Sequence, residues 1–199
     1  MGIVANDFTN TPYVPYNIYD YLMNHNENIF KILKYPTVDC LSRPNLTMKE
    51  KVALLWKGSA DETNYNVFFK PLVGDELISE TTQMRINKVY MSPDNIYLST
   101  NTYEFMFLVG RSIALINYNG IVCPRLDVLE AEILQTLNGK YALGTIGTFQ
   151  FNKEMSRNCQ STLNVNNSKT YFGSSLYLAG KWGSLKYGNC DGQEYTRIL

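Results

Sequence analysis

The sequence is poor in histidine, the side chain that most often serves as a general acid or base near neutral pH. Its only imidazole, His25, sits in the polar stretch Asn24–Asn28 with no nucleophile motif around it. A Ser–His–Asp or Cys–His arrangement would have to use this residue, and we interpret it instead as an exposed polar residue of a helix. No cluster of His and Cys with the spacing of metal ligands is visible. The sequence therefore predicts no enzyme activity, no catalytic residue, no metal and no cofactor.

The sequence also lacks an excess of charge of either sign. Its 18 Lys and Arg residues balance 18 Asp and Glu residues, and no dense basic run occurs. A face that binds duplex nucleic acid needs a marked basic asymmetry. We therefore expect no direct binding of duplex DNA, although a folded assembly can still collect scattered basic residues on one surface.

Paired cysteines and long apolar runs are absent as well. Cys40, Cys123, Cys159 and Cys190 stand far apart, with no CxxC pair and no signal peptide ahead of them. This pattern predicts free thiols in a reducing compartment. No apolar stretch approaches the roughly 18–20 residues that are needed to span a bilayer. We expect cytosolic synthesis and no membrane partner.

What is present predicts a folded protein that is rich in tyrosine and asparagine. The chain has 199 residues, 45% of them hydrophobic, and 15 are tyrosines. This length fits one domain, or one domain with arms. Two interpretations of the tyrosine and asparagine stay open: a coding bias of the genome, or exposed side chains that serve protein–protein contact. Within one domain we distinguish three parts: an N-terminal arm and helices at 1–60, an α+β core at 61–152, and a C-terminal loop and strand extension at 153–199.

The N-terminal part carries helix signals. After a loose arm of about a dozen residues, Asn17 can cap a first helix, which the polar cluster Asn24–Asn28 can split into two. Thr47 and Glu50 have the spacing of a capping box at the start of another helix. Gly58 lies where we expect that helix to end.

The core begins with strand signals. Alternating apolar residues predict a strand at 64–70, and Pro71 indicates an edge strand or a strand end. Two longer strands, Met84–Tyr90 and Tyr103–Ile116, are separated by a break at Ser92–Asn95. The second of these strands is apolar on both faces, which is typical of a central strand.

Turn and helix signals follow the central strand. Gly110 predicts a bulge or bend, and Asn117–Gly120 predicts a turn. A helix is indicated from about Pro124 to Asn138–Gly139, with an apolar stripe at Leu126, Leu129, Ile133 and Leu137.

Two more strands are expected, at Gly144–Phe151 and Tyr171–Ala179, with a long loop at Lys153–Lys169 between them. These elements together predict an α+β fold. We expect a mostly antiparallel sheet with packed helices, a helical N-terminal part, and extended arms or loops.

The order of these elements resembles that of tailed-bacteriophage head–tail connector (neck) proteins of the stopper, head-completion or tail-terminator type. The likeness covers the strand Gln83–Tyr90, the long apolar strand after Pro93, and a helix that begins at Arg125–Leu126–Asp127 and ends at Leu137–Asn138–Gly139. It extends over the strand at Gly144–Phe151. The resemblance implies a structural virion protein that forms a homo-oligomeric ring between portal and tail. Neighbouring portal, neck and tail proteins are then its partners, and DNA passes through the channel without sequence-specific binding.

If the resemblance holds, four basic residues are candidates for the subunit interface: Arg85, Lys88, Arg111 and Arg125. The alternative for Arg85, Lys88 and Arg111 is a set of solvated charges on sheet edges. The Gly74–Thr81 and Lys153–Lys169 loops are candidates for the channel lining or for contacts with neighbours.

Two other classes of function stay open. A carbohydrate- or receptor-binding module of a tail or surface assembly would place Tyr177, Trp182 and Tyr187 on one shallow face. An enzyme would need a pocket with perturbed titratable groups around His25 or a cysteine.

Overall fold

A computed structural model describes the chain at residues 12–59, 64–71, 81–94, 98–140, 148–152, 155 and 171–183. The architecture is α+β, and its sheet is mostly antiparallel, as the sequence predicts. The predicted loops at Gly74–Thr81 and Lys153–Lys169 lie outside the described residues, apart from Thr81 and Met155.

The N-terminal part forms three helices: α1 (Val14–His25), α2 (Glu27–Lys34) and α3 (Met48–Ala53). The predicted split at the polar cluster is confirmed, because Asn26 ends α1 and caps α2 by accepting a hydrogen bond from the Ile29 amide at 3.2 Å. The predicted start at Asn17 is wrong. Helix α1 begins earlier, at Val14, with a proline in its first turn, where the missing amide proton costs nothing.

The capping box of α3 is confirmed, since Thr47 and Glu50 exchange side-chain-to-backbone hydrogen bonds. The expected end at Gly58 is wrong, because α3 stops at Ala53. Beyond it, the Trp56 amide donates to the Val67 carbonyl at 2.9 Å. The chain from Leu55 therefore pairs with β1 of the sheet, and this tertiary pairing ends the helix before the end that its sequence pattern predicts.

Five strands form the main sheet: β1 (Val67–Phe68), β2 (Thr82–Pro93), β3 (Leu98–Gly110), β6 (Gln150–Phe151) and β7 (Tyr171–Gly183), in the order β1-β2-β3-β7-β6. Among these described strands, β1 and β2 are the one parallel pair, and the other pairs are antiparallel. The central position of β3 and the edge position of β1 are confirmed.

Several predicted strand bounds are wrong. Strand β1 covers two residues of the expected seven, and β2 runs through the expected break as far as Pro93. Strand β3 stops at Gly110, so the predicted bend there is a strand end. Of the strand expected at Gly144–Phe151, residues 144–147 lie outside the described part, and β6 holds the last two residues.

After β3 and a 3-10 turn at Arg111–Ile113, the chain forms a separate hairpin of β4 (Leu115–Tyr118) and β5 (Ile121–Pro124). Helix α4 (Arg125–Leu137) follows directly. The predicted helix and its closing glycine are confirmed, and Gly139 has the left-handed φ of 75° that favours glycine at this position.

One hydrophobic core lies between the helices and one face of the sheet. Alternation along β2 and β3 puts Ile86, Phe105 and Phe107 on this face, where they are fully buried. The core also holds residues of α1, α2, α4 and β7, among them Ile18, Leu22, Phe30, Leu33, Leu129, Ile133, Leu176 and Leu178. The opposite face carries polar side chains beside the buried Leu108. There the Glu104 carboxylate accepts from the Ser175 hydroxyl at 2.8 Å and the Tyr177 hydroxyl at 2.9 Å.

Candidate functional site

The β4–β5 hairpin presents apolar side chains to solvent. Its turn forms because Asn119 (φ 53°) and Gly120 (φ 84°) both adopt positive φ, the conformation of a tight hairpin turn. The Asn117 side chain accepts from the Gly120 amide at 2.9 Å and holds this turn. Ile121 is 67% exposed and Val122 is 60% exposed. We call Leu115, Ile121 and Val122 the hairpin patch. Leu115 and Val122 share one face of the hairpin, and Ile121 points to the other face beside the turn.

A small depression continues the hairpin patch toward the main sheet. It encloses about 210 Å³, and Leu115, Pro124, Asp127 and Phe172 are among its lining residues. Asp127 is exposed in the first turn of α4. The patch therefore has an acidic group at its border.

A second apolar surface lies at the other end of the sheet. This groove of about 580 Å³, here the Met91 groove, has Pro12, Pro15 and Met91 in its wall and Ile86 and Tyr103 beneath them. Lys88 also lines the groove, and its side chain is exposed. The groove therefore combines an apolar wall with one cation.

The edge of β2 beside the Met91 groove is open over most of its length. Strand β1 pairs only with Met84 and Arg85, so the rest of this edge has no strand partner among the described residues. A register shift between Lys88 and Tyr90 marks a bulge there, a feature that commonly protects sheet edges. Val89, Tyr90 and Met91 nevertheless present exposed apolar side chains.

The four basic residues that the sequence singles out have different environments. Lys88 and Arg111 are exposed, and their role at an interface stays a prediction. Arg85 and Arg125 are fully buried within the chain. The alternative of a solvated charge on a sheet edge is therefore wrong for Arg85. Neither Arg85 nor Arg125 has exposed surface to offer a neighbour.

Arg85 lies on the polar face of the sheet, against the ring of Phe68. Its guanidinium carbon is 4.4 Å from the ring centroid, and Nη1 donates to the Pro71 carbonyl at 3.1 Å. The Gln83 side chain accepts from Nη2 at 3.3 Å. A delocalised cation over an aromatic face is favourable when water is excluded, so Arg85 fastens the β1 edge to β2.

Arg125, the first residue of α4, is a hub for backbone carbonyls. Its guanidinium donates to Ile113 at 2.7 Å, Ile32 at 2.9 Å, Tyr35 at 3.1 Å and Thr37 at 2.8 Å. Burial lowers the pKa of the guanidinium from its usual value, but arginine remains protonated in proteins. The residue holds the chain after α2 against the start of α4.

A polar cleft lies between α2 and α4, with Glu132 at its centre. Glu132 is buried, with 4% of its surface exposed. Its carboxylate accepts hydrogen bonds from the Asn26 amide at 2.7 Å, the Asn28 amide at 2.9 Å and the Tyr118 hydroxyl at 3.3 Å. Asn26 also donates to the Thr136 hydroxyl at 2.8 Å. The three hydrogen bonds to the Glu132 carboxylate connect α4 to the start of α2 and to the hairpin. We therefore assign this cleft a structural role.

His25 lies at the rim of this cleft, exposed as expected. Its ring stacks on Tyr21 with 3.9 Å between centroids, and Nδ1 lies 2.8 Å from the Tyr21 carbonyl. Cys40 and Cys123 are free thiols, and burial raises the pKa of Cys40. Among the described residues, no group of three or more His, Cys, Asp and Glu side chains could hold a metal ion. Within the same ranges no helix has the length and apolar character needed to cross a membrane.

Of the three aromatic residues of the sugar-binding alternative, only Tyr177 has a described side chain. It is half-buried, and its hydroxyl is engaged by Glu104. The side chain of Trp182 and all of Tyr187 lie outside the described part, so this alternative stays a prediction.

Sequence reasoning missed both apolar surfaces. The sequence predicts Leu115 as part of a long strand and Asn117–Gly120 as a turn, and it predicts no element for Ile121 and Val122. In the structure β3 ends at Gly110, and these residues belong to a separate hairpin. An apolar pair directly after an Asn–Gly turn, as in Ile121–Val122, is a signal that could have found the hairpin patch. The Met91 groove has no such local signal, because residues from distant parts of the chain line it.

Comparison with known proteins gives one match. The family model of YomW matches residues 26–179, which is more than half of the chain. The matched region includes α2 to α4, the hairpin and most of the main sheet. No curated protein and no solved structure matches this chain. The YomW family is named after a product of an SPBc2-like phage region of Bacillus, which indicates a phage-derived protein. The chain therefore belongs to the YomW family.

Proposed function

We propose that this protein is a structural component of a tailed-phage particle. Copies of it form a closed ring in the head–tail connector, joining portal and head to the tail. The ring surrounds the channel through which DNA passes without sequence-specific binding. Its partners are a second copy of the same chain and the neighbouring portal, neck and tail proteins, and its location is the virion.

One observation carries this proposal: the chain exposes two different apolar surfaces that are separated along its central strand. The Met91 groove lies by Tyr103 of β3, and the depression beside the hairpin patch lies by Val109 of the same strand. Tyr103 and Val109 are six residues apart along β3. At the rise of about 3.3 Å per residue of a strand, the two surfaces are about 20 Å apart. A head-to-tail contact joins two unlike surfaces, and such contacts generate rings when the rotation closes. Membership of a phage-derived family agrees with this role.

The test is the mass of the purified protein in solution, together with its presence in particles. We expect oligomers of ring size by light scattering or native mass spectrometry, or a fixed copy number of the protein in purified phage particles. Since some ring proteins assemble only on a template, a monomer in solution is followed by the particle measurement. A monomer that is also absent from purified particles would overturn the proposal.

A further inference from the structure

We propose that neighbouring copies bind head to tail, with the hairpin patch of one copy seated in the Met91 groove of the next. This inference rests on the proposed function and names the contact that builds the assembly. Its occupant is a second copy of this chain, not a peptide or another protein.

The shapes of the two surfaces are complementary. The hairpin is a two-stranded projection whose exposed apolar residues, Ile121 and Val122, follow its turn. The Met91 groove is a concave surface of about 580 Å³ with an apolar wall. Burying apolar side chains of this size on association is favourable. Because consecutive strand residues point to opposite faces, Ile121 and Val122 lie on the two sides of the hairpin, and a groove that encloses its tip contacts both.

The charges at the two borders are also complementary. Asp127 lies beside the hairpin patch, and Lys88 lies in the Met91 groove. Both side chains are exposed, and neither has an ion-pair partner among the described residues. In a head-to-tail contact, Asp127 of one copy approaches Lys88 of the next. Charge complementarity of this kind sets the register of an interface.

The separation of the surfaces excludes their use within one chain. They lie by Tyr103, in the middle of β3, and by Val109, near its end, about 20 Å apart by strand rise, so the depression beside the hairpin is remote from the groove of the same chain. Two unlike surfaces on one chain allow each copy to bind two neighbours. A reciprocal two-fold dimer, in which the patch of each copy meets the groove of the other, would stop at two copies, whereas a head-to-tail contact continues to a third copy.

Disulfide cross-linking tests the geometry directly. The full chain carries Cys123→Ser, Cys159→Ser and Cys190→Ser, so that these native thiols do not compete, and Cys40 stays buried. In this background Ile121→Cys is combined with Met91→Cys, and the protein is oxidised at high concentration or within particles. We expect a ladder of covalent trimers and larger species, because each copy then forms two links. Each single variant forms none beyond a dimer. The matched control pairs Ile121→Cys with Phe151→Cys, an exposed apolar residue on the opposite edge of the sheet, and no ladder is expected.

Charge reversal gives an independent test. Lys88→Glu alone and Asp127→Lys alone should each weaken assembly at least tenfold, and the double variant should restore it, because the reversed pair again attracts. Circular dichroism confirms that each variant is folded.

The outcomes separate this inference from the proposed function. Oligomers or particle incorporation without a ladder and without charge rescue would overturn the head-to-tail contact and leave the ring proposal standing. Cross-links from these positions to a different particle protein would overturn the choice of a second copy as the occupant. Absence of both oligomers and particle incorporation would overturn the inference and the proposed function together.

Discussion

Arg125 shows how a single charged side chain organises a junction between distant parts of the chain. It contacts four carbonyls from the end of α2, the turn after it and the segment after β3. All four of these partners are backbone carbonyls, so peptide dipoles compensate the charge of the guanidinium. Its planar fork supplies five donors in fixed directions, which suits acceptors that arrive from different segments.

Replacing Arg125 should therefore be severe. We expect Arg125→Met to lower the free energy of unfolding by about 3–5 kcal/mol, because four buried carbonyls lose their donor. Arg125→Lys should cost nearly as much, since one ammonium does not reach four diverging acceptors. Denaturant unfolding measures both variants. The matched control is Arg43→Met, which removes an exposed ion pair with Asp39 and should change stability by less than about 1 kcal/mol. Equal effects at positions 125 and 43 would contradict the hub role.

At the scale of elements, two helix caps have different tasks. Thr47 belongs to an exposed capping box that serves α3 alone. Asn26 caps α2 through its oxygen and binds α4 through its nitrogen, which reaches both Glu132 and Thr136. The second cap is therefore a link between two helices as well as a helix start.

Substitutions should separate the two tasks. We expect Thr47→Ala to cost about 1 kcal/mol and Asn26→Ala about 2–4 kcal/mol, because it also removes bonds to a buried carboxylate. Asn26→Asp keeps the capping oxygen but places a second carboxylate beside Glu132, so it should destabilise the protein at pH 7. Chemical unfolding measures each free energy.

A double-mutant cycle identifies the cause. In a Glu132→Gln background the cost of Asn26→Asp should shrink, since the like-charge repulsion is gone. A cost that is unchanged in the Glu132→Gln background would contradict like-charge repulsion as its cause.

For the whole molecule, the decisive feature is the shared core. Residues of α1, α2, α4 and the main sheet belong to one cluster, including Leu178 near the C-terminal end. The division into parts at 1–60, 61–152 and 153–199 stays a prediction, but the described residues of all three contribute to that core. Helices and sheet therefore depend on each other for burial.

We expect the isolated chain to unfold in a single transition. Loss of helix, followed by circular dichroism at 222 nm, should coincide with the change in tryptophan fluorescence, because Trp56 lies between α3 and β1 and packs near Phe68. Thr47→Ala serves as a control that should shift both curves equally. Two separated transitions would show that the N-terminal helices fold independently of the sheet.

The sequence by itself determined those features that depend on neighbours within about four residues. The capping box at Thr47 and Glu50, the turn at Asn117–Gly120 and the glycine after α4 follow from local hydrogen bonds and permitted φ values. The apolar alternation of β3 likewise predicted a central strand. The helix ending at Ala53 and the two-residue β1 were not predictable, because the bridge between Leu55 and Val67 sets them.

Only the tertiary structure decided what the chain offers to other molecules. It buried Arg85 and Arg125, which the sequence presented as surface candidates, because an aromatic ring and backbone carbonyls surround them. It also exposed Ile121 and Val122, although apolar side chains of this kind are usually buried. Burial depends on which distant segments meet, and local sequence does not specify that. The hairpin patch and the Met91 groove are products of this packing.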